Sequence, residues 1–176
     1  MQEFGKAYAG IGSRETPDNA LRTMGIMAGE LERFGFTLRS GGAGGADLAF
    51  ENGVTDTKNM EIYLPWPYFN GHSELGVVWP DPDRVAEARL ISAKFHPIWD
   101  RLKPSVQHLH TRNVFQVLGR DLNDPVKFVI CWTEGGKHGG GTGQAIRIAQ
   151  AYSVPIFDLG SVSAMEIQDA LNSMFS

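Results

Sequence analysis

The stretch YAGIGSRETP, Tyr8 to Pro17, sets Gly10, Gly12, Ser13 and Arg14 just behind an apolar, strand-like start. Glycine admits a tight turn, and a turn that opens a helix leaves backbone N–H groups free. With a hydroxyl and a fixed cation beside them, such groups make a seat for a phosphate or carboxylate. Two further segments share the design. LRSGGAGGAD carries Ser40, Gly41, Gly42 and Asp47, and EGGKHGGGTGQ carries Gly141 and Thr142. Neither a P-loop, G-x-x-x-x-G-K-[ST], nor the dinucleotide spacing G-x-G-x-x-G is present, so ATPase and hydride-transfer readings find no support.

Other side chains could complete such a site. Asp47 opens a helix, where a carboxylate serves as a cap or dipole partner, or accepts from a ribose hydroxyl, or fixes the glycine loop. Arg112 and Asn113 read either as surface polar residues or as a guanidinium fork for phosphate with an amide beside it. Trp132 closes an apolar run and is the first candidate to stack on a flat ring; Trp66 is the second, and Trp99 falls on a helix face as a core residue. Glu51 reads as solvated surface and His138 as a loop residue. His108 and His110, two apart on a helix, point away from each other, and no carboxylate is spaced to complete a metal site. Cys131, the single cysteine, sits inside VKFVICW and reads as a buried, inert thiol.

The elements that must position these residues follow from hydrophobic periodicity. KAYAGIG predicts a strand. Leu21, Met24, Met27, Leu31 and Phe34 recur at helical steps from Asp18 to Phe34, with Thr16 or Asp18 as cap, Pro17 in the first turn and Gly35 as the stop. FTLRS, MEIYLPW, VKFVICW and VPIFDLG predict further strands, the third of these apolar throughout as a central strand would be. Helices are expected over LAFENG, DPDRVAEARLISAKF, LHTRNVFQVLGRDL, QAIRIAQAY and SAMEIQDALNSMF, with a loop from Tyr68 to Pro80. Strands alternating with helices imply a three-layer α/β fold, Rossmann-like, with a mostly parallel sheet. Each glycine-rich segment follows a strand, so all three gather at the carboxyl edge of that sheet, where such folds bind ligands.

The bulk figures set bounds. At 176 residues the chain suits one domain, residues 1–176, able to bury a core without disulfide or metal staples. Its 21 glycines cluster in the loops. No apolar run spans a bilayer and the amino terminus has no leader pattern, so a cytoplasmic location with no membrane partner is expected. A net charge of −4, with no lysine or arginine block, weighs against a broad nucleic-acid groove.

GIGSR, LRSGGAGGADLAFENG, TRNVFQVLG and FVICWTEGGKHGGGTGQAIRIAQAYSVPIFDLG occur in the order found in the DNA-processing protein A (DprA/Smf) family, and the chain resembles that family's Rossmann-like core, part of the SLOG superfamily. The resemblance spans nearly the whole chain. It implies a site at the sheet edge made by Gly12, Ser13, Arg14, Ser40, Gly41, Gly42, Asp47 and Arg112. In DprA proteins such a site holds single-stranded DNA; in other SLOG proteins similar pockets bind nucleotides or nucleotide-derived signals, and the LOG branch cleaves nucleotide N-glycosidic bonds. Relatives commonly form dimers, so a homodimer is an expectation. The accessory amino- and carboxyl-terminal domains of DprA proteins are not expected within these 176 residues. Where LOG enzymes carry a catalytic glutamate after their Gly-Thr pair, this chain has Ala145.

The expected function is therefore binding of a nucleotide or nucleotide-derived small molecule, without a further cofactor or metal. The expected site is Gly12, Ser13, Arg14, Ser40, Gly41, Gly42, Asp47, Arg112, Asn113, Trp132, Gly141 and Thr142. Single-stranded DNA binding in recombination is the alternative. A nucleoside-phosphate N-glycoside hydrolase, with Asp47 or Glu134 in place of the missing glutamate, is a second alternative, and the absent acid points away from an enzyme.

Overall fold

In the computed structural model residues 6–176 are described; the expected lack of a leader rests partly on residues 1–5, outside that range. The elements are β1 (Ala7–Gly10), α1 (Asp18–Arg33), β2 (Thr37–Ser40), α2 (Ala46–Gly53), β3 (Met60–Ile62), α3 (Pro82–Lys94), α4 (Pro104–Leu118), β4 (Val129–Cys131), α5 (Gly140–Ala151), β5 (Ile156–Asp158) and α6 (Ala164–Phe175). The strands form a five-stranded sheet in the order β3-β2-β1-β4-β5, and every pairing is parallel. The chain steps outward from β1 to β3, then returns to β4 on the other side of β1. This reversal leaves a crevice between the loops that follow β1 and β4.

Period-two alternation along the strands sorts the core into two layers. Ala7, Ala9, Val129 and Cys131 face α3, α4 and α5, packing on Ala88, Val114, Leu118, Ile146 and Ile148. Tyr8, Leu38, Phe128 and Ile130 face the opposite way, against Met24, Leu31, Phe50 and Ile167 of α1, α2 and α6. Both faces are covered, which is why β4 reads as an unbroken apolar run. The fold is three-layer α/β, Rossmann-like, as expected from the sequence.

Several local expectations change. Thr16 does not cap α1: its hydroxyl donates to Ser13 O at 2.6 Å, and Pro17 takes the cap position. α4 begins at Pro104, a start signal of its own, so Arg112 and Asn113 lie well inside the helix and not near its beginning. α5 begins at Gly140, inside the glycine run. Trp99 is not a core residue on a helix face; it opens a short 3₁₀ turn, half-buried, with the Arg89 guanidinium 5.4 Å above its ring. Cys131 is buried, and burial pushes its thiol up, consistent with an inert group.

The α1–α2 edge is tied by one carboxylate. Glu32 accepts from Thr55 N and Thr55 Oγ1 (2.8 Å each), Asp56 N (2.9 Å) and Asn59 Nδ2 (3.0 Å). Desolvation acts upward on its pKa, but the hydrogen bonds from Asn59, Thr55 and Asp56 outweigh it and hold the carboxyl at about 2 against an ordinary 4.5. A depressed carboxylate contributes stability above its unfolded pKa and loses it as pH falls through the folded value. Glu32→Gln should therefore cost about 0.5–1 kcal/mol at neutral pH, a figure kept small by solvent screening. Urea midpoints of variant and wild type should converge as pH falls from 4.5 toward 2.

Candidate functional site

The crevice at the strand-order reversal opens into a cavity of about 790 Å³. Gly12, Ser13, Arg14, Asp47, Arg112, Asn113, Trp132, Gly141 and Thr142 line it, so most of the side chains and turns expected at the site do meet. Ser40, Gly41 and Gly42 are not on that lining; they sit behind the wall. The Ser40 hydroxyl donates to Gly10 O at 2.7 Å, joining β2 to β1. A Cβ on Gly41 would lie 2.6 Å from Arg112 Nη1 and would collide with the Gln116 amide, so glycine there lets α4 close on the loop. Gly42 packs against Leu64 and His72.

The first loop is a compact serine–threonine turn. Ser13 Oγ accepts from Glu15 N at 3.0 Å, and Ser13 O takes Thr16 N and, at 3.4 Å, Ala46 N, the first amide of α2. Loops one and two are thereby joined. Gly45, at φ +74°, is where they touch: a Cβ there would come within 2.7 Å of Arg14 Cα. The Arg14 side chain is exposed, and its guanidinium has no hydrogen bond or ion pair among the described residues. A fixed cation left free at a cavity mouth is available to an anion.

Asp47 takes the loop-fixing role. It is buried, accepts from Ala43 N at 3.1 Å, and has the Gly41 and Gly12 amides turned toward it. Burial pushes its carboxyl up, and the Arg112 charge and those amides pull it back down. Arg112 is not a surface residue. Its Nη1 donates to Asn113 Oδ1 at 2.8 Å and lies 3.1 Å from the Gln116 carbonyl oxygen, which also accepts from Gly41 N at 3.0 Å. Its guanidinium carbon lies 5.8 Å from the centre of the Phe69 ring, and its Nε is buried without a hydrogen-bond partner among the described residues. Desolvation lowers its pKa, partly offset by Asp47 and reinforced by Arg14.

The third wall is the start of α5. Gly139 holds the cap position without a side-chain cap, and the first turn carries no acidic residue. The early amides of a helix in that state are free donors carrying the positive end of its dipole. The approach to α5 is clasped to β5: Asp158 Oδ1 accepts from Thr133 N (2.9 Å) and Gly160 N (2.8 Å), and Asp158 Oδ2 accepts from Thr133 Oγ1. His138 is tied into the same clasp, donating through its backbone N to Thr133 Oγ1 at 2.9 Å.

Trp132 borders the cavity half-buried, whereas Trp66 does not; its ring packs edge-on against Phe69, 5.2 Å away. Glu51 is not solvated surface: Oε2 lies 2.7 Å from His72 Nε2, with both side chains largely buried. Among the described residues no group of three or more His, Cys, Asp or Glu is placed to hold a metal ion, and no helix is long and apolar enough to cross a membrane.

Sequence reasoning missed Thr133, Lys137 and Gln116, which line the cavity, and Gln144, buried behind it. For Gln144 a signal existed. It stands one turn before Ile148 on the inward stripe of α5, where a polar residue must find buried partners. Ala145, where the resemblance to LOG enzymes would imply a glutamate, lines the cavity as a buried apolar residue.

No family model matches the chain, and no curated protein matches it. Among solved structures it is similar to DNA processing protein A from Helicobacter pylori, described for a unique single-stranded DNA binding mode. The likeness has a TM-score of 0.49 at 20% identity, over 89% of this chain and 66% of that one, just under two thirds of its length.

Proposed function

We propose that residues 1–176 act as one domain whose strand-end cavity binds a nucleotide unit, with phosphate on the Ser13–Arg14 turn and the α5 amides and base toward Trp132. The observation that carries this reading is an Arg14 guanidinium without a partner among the described residues, lining the same cavity as an uncapped helix start. Phosphate needs such donors, and an indole supplies a face for a base.

The unit could come from two sources. A free nucleotide-derived molecule agrees with the net charge of −4 and with a cavity whose acids, Glu15, Asp47 and Glu134, offset its cations. Single-stranded DNA is the second source; it is what the ordered motifs resembling the DprA family imply, and one phosphate plus one stacked base is how a strand occupies such a groove. The hydrolase reading is the weaker. Asp47 is engaged in holding a loop, and Ala145 has no acid to offer.

Calorimetry with AMP, cyclic dinucleotides and ADP-ribose, alongside electrophoretic shifts with oligo-dT at two salt concentrations, separates the sources. Binding of the small molecules alone supports the first. Oligo-dT binding that weakens steeply with salt supports the second. Silence in both assays overturns the reading. Arg14→Ala should weaken whichever ligand binds by about 1.5–3 kcal/mol, the range for a charge-assisted hydrogen bond, with the thermal midpoint almost unmoved. A fall in midpoint matching the loss of binding would make Arg14 structural.

A further inference from the structure

Behind the cavity runs a row of hydrogen bonds whose direction is fixed from both ends. At one end Arg112 Nη1, which can only donate, meets Asn113 Oδ1 at 2.8 Å. The Asn113 amide is therefore oriented with Nδ2 outward, donating to Gln144 Oε1 at 3.1 Å. At the other end Gln144 Nε2 donates to Ser92 O at 3.1 Å, an acceptor that carries no hydrogen. Both anchors leave Gln144 Oε1 as an acceptor. His110 Nδ1 lies 3.1 Å from that same oxygen, so Nδ1 must carry a hydrogen.

The other ring nitrogen has no partner among the described residues, and His110 borders the cavity. The surroundings oppose a second proton. Burial acts first, and His96, whose ring is 4.6 Å away, Arg112 and Arg147 add to it; the Gln144 bond works the other way, and the net pKa lies below the ordinary 6.5. Near neutral pH the imidazole is uncharged.

From this row we infer that His110 is a ligand-recognition residue of the cavity, offering a bare Nε2 lone pair that accepts a hydrogen bond from a ligand hydroxyl or amino group. A nucleotide carries both kinds of donor, on its sugar and on its base, while its phosphate cannot use this nitrogen. The inference rests on the proposed nucleotide site for its ligand, but the state of the ring can be read without one. Set apart from the Arg14 and α5 donors proposed for phosphate, His110 would select for the sugar or base end of the ligand.

Long-range ¹H–¹⁵N spectra of the free protein, assigned with His110→Gln, test the ring directly. The expected result at pH 7.5 is a protonated Nδ1 and a bare Nε2, the latter gaining a proton only below pH 6.5. Hydrogen on Nε2 at pH 7.5 overturns the inference. Binding of the dinucleotide ApA, whose phosphodiester keeps a constant charge, tests the ligand. Affinity should drop as pH falls through the His110 transition, and His110→Phe should weaken it about tenfold at pH 7.5, one neutral hydrogen bond. His110→Gln, which retains an acceptor, should restore most affinity and abolish the pH dependence. ApA binding indifferent to both variants and to pH overturns the recognition role while the nucleotide reading survives. If neither ApA, AMP nor oligo-dT binds the wild type, the nucleotide reading fails and the recognition role with it, even where the spectra show the expected ring.

Discussion

Arg39→Ala should cost about 3–5 kcal/mol, the largest loss expected from any single replacement in this chain. Arg39 is 4% exposed on an interior strand, and burial alone would disfavour its charge. Glu61 and Asp124 more than compensate: Nε donates to Glu61 Oε2 at 2.8 Å, Nη2 to Asp124 Oδ2 at 2.7 Å and Nη1 to Asp124 O at 2.6 Å. Tyr63 adds its hydroxyl to the same Glu61 oxygen at 2.8 Å. One guanidinium thus joins β2 to β3 and to the connection between α4 and β4. Its removal strands two partly buried carboxylates beside a buried tyrosine hydroxyl. Chemical denaturation should show the loss as a lower midpoint at unchanged slope. Replacing Arg39, Glu61 and Asp124 together by apolar residues of similar size should be much milder, because no charge is then left without a counterpart. Equal losses in the single and triple variants would mean that packing, and not charge compensation, is what Arg39 supplies.

Arg112→Leu should cost about 2–3 kcal/mol of stability and abolish binding in the cavity. The stability figure is that of leaving Asn113 Oδ1 unpaired and of taking the compensating Arg112 charge away from the buried Asp47 carboxyl. Asp47 gives the effect a pH signature. Its pKa is raised by burial, so its contribution is fully present below the ordinary 3.8 and is lost as pH rises through the folded value. Without Arg112 that value climbs further, so the deficit of the variant should widen as pH rises past the wild-type folded value. Adding Asp47→Asn should recover part of the stability on the alkaline side of that transition but none of the binding. A deficit independent of pH, or a double variant no better than the single one, would remove the electrostatic account.

Much of the fold was legible because the apolar residues keep strict periods. Met24, Met27 and Leu31 mark the inward stripe of α1, and Phe128 to Cys131 alternate between the two layers. The Ser13–Arg14 turn, Asp47 and Trp132 were legible as cavity residues because each follows a strand in a fold that binds beyond strand ends. What escaped was polar and buried. Gln144 stands on the inward stripe of α5, but a single sequence does not name its partner Ser92, nor does it reveal that Gly41 leaves room for the Gln116 amide. Glu51 and His72 lie far apart in the chain, and nothing local announces their pairing. The start of α5 was placed late because glycine is a poor helix former, and the tertiary clasp at Asp158 overrides that preference.

The cavity floor is shared by both sides of the sheet. Ser13 and Arg14 lead into α1, which belongs to one helical layer, while Arg112 and Thr142 belong to α4 and α5 of the other. Any molecule seated there acts as a rivet through the sandwich, and mass action then transfers its binding energy to the whole protein. If the proposed nucleotide unit binds there, occupied chains would be cut more slowly by proteases than empty ones, and resistance to digestion would report occupancy.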